Sequence, residues 1–248
     1  MLFLRRILFL ALMALFAFAA GNLLYLYYGK MDNFTPSNRS VSHFETTYEK
    51  AQNLTHIKTI SDELAKQSGY TKLSDIPLQL RQAIIAVEDR KFYNHSGIDS
   101  ESILRATLVN IQSGEISEGG STITQQLART LFLSNEQSFT RKVWEAGFAV
   151  GLETQLSKDK ILELYLNTIY FGENTYGAAA AAKKYFHKSL KDLTLNETTM
   201  LAGIPNGPSI YNPIADLAAA KRRQRIVIEA MQKNGFIGQE EANTLSTN

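Results

Sequence analysis

Two carboxylates in this sequence fall where a carboxylate is hard to place on a solvated surface. Glu88 follows Leu80, Ile84 and Val87 at helical spacing, so it lies beside the apolar stripe of its helix rather than opposite it. Burial disfavours the charged form of a carboxyl group, which makes Glu88 a candidate base or acid working near neutrality. The plainer reading is a helix-terminal residue paired with Arg90 or Lys91 at the surface. Glu145 precedes Ala146, Gly147, Phe148, Ala149, Val150, Gly151 and Leu152, and the next charge is Glu153. A helix covered almost all round leaves Glu145 no solvated face, and Arg141 lies one turn away to offset its charge. Here the plainer reading is a structural Arg–Glu pair. Two such groups suit transfer at a glycosidic centre, one handling the nucleophile's proton and the other the departing side. They could equally hold a divalent cation through oxygen ligands.

Other polar groups could bind rather than react. Ser121, Thr122, Thr124, Gln125 and Gln126 offer hydroxyls and amides over two turns, suited to sugars or phosphate oxygens, although a capped solvated helix has the same look. Arg129 and Arg141 could make charge-assisted contacts to a diphosphate. His95 has no second histidine nearby, which favours a structural hydrogen bond in the Phe92–Gly97 turn over a metal ligand. Arg222, Arg223 and Arg225 form a basic group, part of it a solvated face.

The elements that must position these residues read as helices. Ser74 or Asp75 can cap a helix with Pro77 in its first turn. Asp99 or Ser100 opens another, carrying Ile103, Leu104, Leu108 and Ile111 to Gly114. Ser121 or Thr122 caps a third. Further helices are predicted over Thr140–Leu156, Lys158–Asn167, the alanine run from Ala178, and Ala218–Gln232. Val, Ile and Thr nowhere alternate as a long strand requires, so the fold class is mainly α.

The 248 residues provide for one ordinary domain plus an appendage. With 44% hydrophobic and 20% charged residues the chain can bury a core, and wholesale disorder is excluded. A net charge of +2 gives no global field for nucleic acid, and the absence of cysteine removes disulfides, thiol catalysis and zinc-thiolate sites. Between Arg6 and Lys30 run 23 uncharged residues, enough for a helix to cross a bilayer core of ~30 Å. Arg5 and Arg6 set the orientation with residues 1–6 in the cytoplasm, 7–29 spanning and the remainder outside. A signal peptide cleaved near Ala17-Phe18-Ala19 is the competing reading, and it exports the domain too. Residues 30–70 read as a polar stalk or edge segment, and 71–248 as the main domain.

Four segments stand in order along the chain: Glu88-Asp89-x-x-Phe92-x-x-His95-x-Gly97, Gly120-Ser121-Thr122-Ile123-Thr124-Gln125-Gln126, Arg141-Lys142-x-x-Glu145, and Lys158-x-x-Ile161-Leu162-x-x-Tyr165-x-Asn167. Together they resemble the motifs of the peptidoglycan glycosyltransferase domain of monofunctional transglycosylases and bifunctional penicillin-binding proteins. A fifth, partial motif begins at Arg223, with Gln224 where the family usually has a second arginine. Arg129 and Thr130 stand where it usually has lysine and asparagine. The resemblance implies a lysozyme-like, mostly helical large lobe with a smaller jaw lobe near the membrane. It assigns Glu88 as the base that deprotonates the 4-hydroxyl of an acceptor GlcNAc, which attacks C1 of a lipid-diphosphate-linked MurNAc with inversion. Glu145 is implied to assist departure of the diphosphate, directly or through Mg²⁺ or Mn²⁺. Ser121, Thr122, Gln125, Gln126, Arg129, Arg141 and Lys142 would line the donor path.

The implied substrates are lipid II and the growing glycan chain. The implied location is the outer face of the bacterial cytoplasmic (inner) membrane, with other cell-wall synthesis proteins as further partners and no nucleic acid. Ser157-Lys158-Asp159-Lys160 has an S-x-x-K spacing, but no S-D-N or K-T-G follows, so the sequence reads as monofunctional. The rival readings are a lysozyme-like hydrolase and an inactive membrane-anchored scaffold.

Overall fold

The computed structural model describes residues 53–102, 105, 120–133 and 139–247. The expected cytoplasmic tail and membrane-spanning segment, with residues 30–52 of the stalk, lie outside the described residues, as does most of the helix expected after Asp99. Nine helices can be traced among the described residues: α1 Ile57–Leu64, α2 Leu78–Glu88, α3 Ile123–Phe132, α4 Phe139–Gln155, α5 Lys158–Thr168, α6 Ala178–Phe186, α7 Leu195–Gly203, α8 Leu217–Lys233 and α9 Gln239–Thr247. The described residues contain no strand beyond a single antiparallel bridge between Tyr170 and Tyr176. None of these helices is long and apolar enough to cross a membrane.

Two helix groups share one continuous core. In the first, α2, α7 and α8 pack on one another and α9 packs on α8. In the second, α3 packs on both α4 and α5. The core runs through both, from Leu80 and Ile84 of α2 to Leu127 of α3, Phe148 of α4, Leu162 of α5 and Val227 of α8. Burying that much apolar surface is the main force holding the helices together.

Polar contacts set the angles at which helices meet. Residues 70–73, which lead into α2, are tied to α5. Glu163 accepts from Tyr70 Oη at 2.5 Å and from the Leu73 N–H at 2.7 Å, and Asn167 exchanges two 2.8 Å hydrogen bonds with the Thr71 backbone. Gln224 of α8, buried, donates to Asn196 O, Asn196 Oδ1 and Thr199 Oγ1 at 2.8, 2.7 and 3.0 Å. The position that departs from the family arginine therefore joins α8 to α7. Residues 53–70 contribute to the domain core: Ile57 of α1 is buried, and the side-chain tips of Leu54 and Ile57 pack against Gly151 of α4.

Candidate active site

Helix α2 ends at Glu88 because Asp89 leaves helical geometry, with φ −160° and ψ 74°. The Asp89 carboxylate, buried, accepts from the Ile123 N–H at 3.0 Å, a backbone group at the start of α3 that has no partner within its own helix. It also accepts from His95 Nε2 at 2.9 Å. The Gly97 N–H donates to His95 Nδ1 at 3.1 Å, which leaves the Nε2 hydrogen to bind Asp89. Thr122 caps α3 by accepting from the Gln125 N–H at 3.1 Å, while Gln125 Oε1 accepts from the Thr122 N–H at 3.0 Å. Thr122 then donates to Gly97 O at 2.6 Å. Gly97 has φ +92°, and a Cβ there would lie 2.9 Å from Ala149 O, so only glycine lets this loop lie against α4. The loop after α2 is thus sewn to the start of α3.

Glu88 faces the seam between the two helix groups. Its side chain is 6% exposed and lies 3.4 Å from Arg223 Nη2 of α8, a residue 135 positions away. Gln126 Nε2 of α3 donates to Glu88 Oε2 at 2.9 Å, and Tyr165 Oη of α5 donates to Gln126 Oε1 at 3.1 Å. Burial pushes the Glu88 carboxyl above its ordinary value, against the opposing pull of Gln126 and Arg223. Lys91, offered by the surface reading as a partner of Glu88, pairs with Glu101 instead. A buried carboxylate with a raised pKa, open to a cleft, is equipped to take a proton from a substrate hydroxyl.

That cleft has a volume of about 660 Å³. Glu88, Ser121, Gln126, Arg129 and Arg223 line it, with Arg90, Arg105 and Lys233 adding further cations. Such walls suit an anionic ligand. Beside Ser121, Lys142 Nζ donates to Ser121 Oγ at 2.8 Å and to Glu145 Oε1 at 2.7 Å. Glu145 is fully buried, and its Oε2 has no hydrogen-bond partner among the described residues. Among the described residues no group of three or more His, Asp or Glu side chains could by itself enclose a metal ion.

The transglycosylase family model matches residues 53–232. The chain belongs to the transglycosylase family. It is similar to penicillin-binding protein 1A of Neisseria flavescens, with 50% identity over 168 residues, 68% of this chain and 21% of that protein. Penicillin-binding protein 1A of Neisseria lactamica is 45% identical over 202 residues, 82% of this chain and 25% of that protein. Penicillin-binding protein 1F of Bacillus subtilis strain 168 is 48% identical over 172 residues, 69% of this chain and 24% of that protein. A 2.6 Å crystal structure of penicillin-binding protein 1A from Haemophilus influenzae aligns at 26% identity with a TM-score of 0.42, covering 72% of this chain and 17% of that one. The chain spans 21 to 25% of the length of these curated relatives.

Within this transglycosylase domain the motif residues divide by what they touch. Glu88, Asp89, Ser121, Thr122, Gln126, Arg129 and Arg223 reach the cleft. The side-chain groups of Thr122 and Gln125 are committed to the cap of α3. Lys158 donates to Glu153 at 2.7 Å and lies 4.5 Å from the centre of the buried Phe92 ring, while Thr124 donates to the same Glu153 oxygen at 2.6 Å. These three residues and Phe92 brace the loop and helices behind the site, as Asn167 braces residues 70–73. Thr130 donates back to Gln126 O at 3.0 Å and does not line the cleft. Arg222 and Arg225 are exposed, so of the basic group Arg223 alone lines the cleft.

Sequence reasoning missed Asp99, Ser102, Arg105, Ile226 and Lys233 as cleft residues. The recoverable signal was on α8: Arg223, Ile226, Ala230 and Lys233 recur at helical spacing and form the stripe that faces the cleft.

Proposed function

We propose that this transglycosylase domain polymerises lipid II into β-1,4-linked glycan strands of peptidoglycan. In this reading the domain has the lysozyme-like large lobe and membrane-proximal jaw lobe of its family. Residues 7–29 anchor it, uncleaved, to the cytoplasmic membrane with the site on the outer face, where both lipid-linked substrates present their headgroups. The observation that carries the proposal is Glu88: buried, pushed toward the protonated form, yet open to a cleft lined by arginines.

That placement supports the following reaction. Glu88 accepts the proton of the acceptor GlcNAc 4-hydroxyl as the oxygen forms a bond to C1 of the donor MurNAc. The C1–O bond to the diphosphate breaks on the opposite face, and the configuration inverts. Arg223, 3.4 Å from Glu88, offsets its negative charge before the proton arrives and faces a neutral acid afterwards. Arg129 in the cleft wall, with Lys142 beside Ser121 and Arg141 one residue before it, stabilises negative charge gathering on the departing diphosphate. Glu145 would serve as one oxygen ligand for Mg²⁺ or Mn²⁺, since its Oε2 is buried without a partner among the described residues. When bound, such a cation would supply further neutralisation of the diphosphate.

The test is incubation of the detergent-solubilised full chain with labelled lipid II and Mg²⁺, separating products by length. Wild type should make long chains that muramidase digests, and Glu88→Gln should make none. Shortened or cleaved glycan instead of extension would establish the hydrolase reading. Failure of wild type to extend lipid II across cations and detergents would leave the domain a scaffold.

A further inference from the structure

Gln126 uses the two ends of its carboxamide for different partners. Nε2 donates to Glu88 Oε2 at 2.9 Å, and Oε1 accepts from Tyr165 Oη at 3.1 Å. Tyr165 sits in the middle of α5 and is fully buried. Burial, with the negative field of Glu88 added, pushes its phenol well above its ordinary value, so it keeps its proton and remains a donor.

A carboxamide can turn over with little steric change, because its oxygen and NH₂ differ little in size. Turned over here, Gln126 would set Oε1 against a Glu88 oxygen, acceptor to acceptor, an arrangement tolerable only with a proton on Glu88. It would also set its NH₂ against the Tyr165 hydroxyl, whose hydrogen would lose its acceptor in a buried place.

We infer that Tyr165 is a positioning residue for the base: its buried hydroxyl holds the Gln126 carboxamide with the NH₂ toward Glu88, and so keeps a donor on the carboxylate that receives the substrate proton. The inference rests on the proposed role of Glu88. It connects the fourth sequence motif to the first through the second, giving Tyr165 a part in the chemistry without contact to substrate.

The other groups around Glu88 are left in place by a change at Tyr165. Arg223 approaches from α8, Arg129 from α3, and Asp89 is adjacent in sequence. Arg90, Asp99, Arg105 and Lys233 line the surrounding cleft. Glu197 of α7, which also packs on α2, is held by Lys188 at 2.8 Å. Any change in the titration of Glu88 in Tyr165→Phe therefore reports on the hydroxyl.

The experiment measures lipid II polymerisation against pH for wild type, Tyr165→Phe, Gln126→Ala and the double variant. Phenylalanine fills the same space, and thermal unfolding checks that the variant is folded; Tyr165→Leu is the second variant should Phe fail. Losing the hydroxyl should move the acid limb of kcat/KM up by about one pH unit, roughly a tenfold loss on the acid side that closes at alkaline pH, with KM within about twofold. A loss equal at every pH, with the limb unmoved, would make Tyr165 merely structural and overturn the inference. With Gln126 already removed, deleting the hydroxyl should move the limb no further, and an additional shift in the double variant would equally overturn it.

Carboxyl ¹³C NMR of glutamate-labelled protein, with Glu88→Gln assigning the signal, reads the Glu88 midpoint without turnover. An upward midpoint in Tyr165→Phe supports the inference and an unchanged one refutes it. If wild type fails to polymerise lipid II while the midpoint still shifts, the proposed function fails and the relay stands.

Discussion

Replacing Glu88 by glutamine should make the protein more stable at neutral pH while ending its activity. The carboxyl is 6% exposed, and desolvation outweighs the combined help of Gln126 at 2.9 Å and Arg223 at 3.4 Å, so the folded state disfavours its charge. Because the folded pKa lies above the unfolded value of 4.5, the folded chain holds the proton more tightly. Wild-type stability therefore falls as pH rises from 4.5, and levels off above the folded pKa. Glutamine removes the charge and keeps one carbonyl oxygen to accept from Gln126, while its NH₂ replaces Oε1 at the longer 3.4 Å approach of Arg223, for a net gain of about 1–2 kcal/mol at pH 8, the size usual for relieving an unfavourable group. For a domain of this size that is a rise of roughly 2–8 °C in Tm. Urea unfolding followed by the fluorescence of Trp144, the single tryptophan, across a pH series measures the difference. The gap should open above pH 4.5 and vanish below it. A Glu88→Gln protein less stable at pH 8, or a gap that does not change with pH, would refute the account of Glu88 as a strained buried base.

Two further outcomes test the supports of the site. Gln224→Leu should cost about 2–3 kcal/mol in urea unfolding, through the lost bonds to Asn196 and Thr199, while leaving the pH profile of polymerisation unmoved, because Gln224 faces α7 rather than the cleft. Glu163→Gln should destabilise by a similar amount above pH 4.5. Burial pushes Glu163 up, but Lys160, Tyr70 and the Leu73 N–H together hold it below its ordinary value, so its contribution is lost as pH falls through the folded pKa. Urea midpoints of variant and wild type should then converge in acid, and a gap that persists there would show that lost packing is the cause.

Elements with a strong local pattern were readable from residues alone. Helix α5 was expected over Lys158–Asn167 and runs Lys158–Thr168, and the cap of α3 fell on one of the two residues offered. Helix α7 leaves no period in the sequence because it is buried all round from Thr198 to Gly203 and has no solvated face there. Its Thr194-x-x-Glu197 capping box was the available signal. Helix α1 was hidden in a polar stretch in which Ile57 and Ser61 are its buried residues. For the site, the position of Glu88 beside an apolar stripe was legible, since it depends on residues within two turns. Its partners were not, because Gln126, Tyr165 and Arg223 lie on three other helices and meet it only after the chain has packed. The motif resemblance named these residues without saying which would touch.

The scattered origin of those partners bears on how the protein can be studied. Positions 88, 126, 165 and 223 have no common environment until both helix groups have closed on each other, so a fragment ending before α8 would keep four of the five sequence motifs and lack the counter-charge to Glu88. Under the proposed function, catalysis is a stringent reporter of complete folding. Circular dichroism would credit a half-assembled bundle with most of its helices, whereas glycan synthesis would register nothing until the last long-range pair had formed.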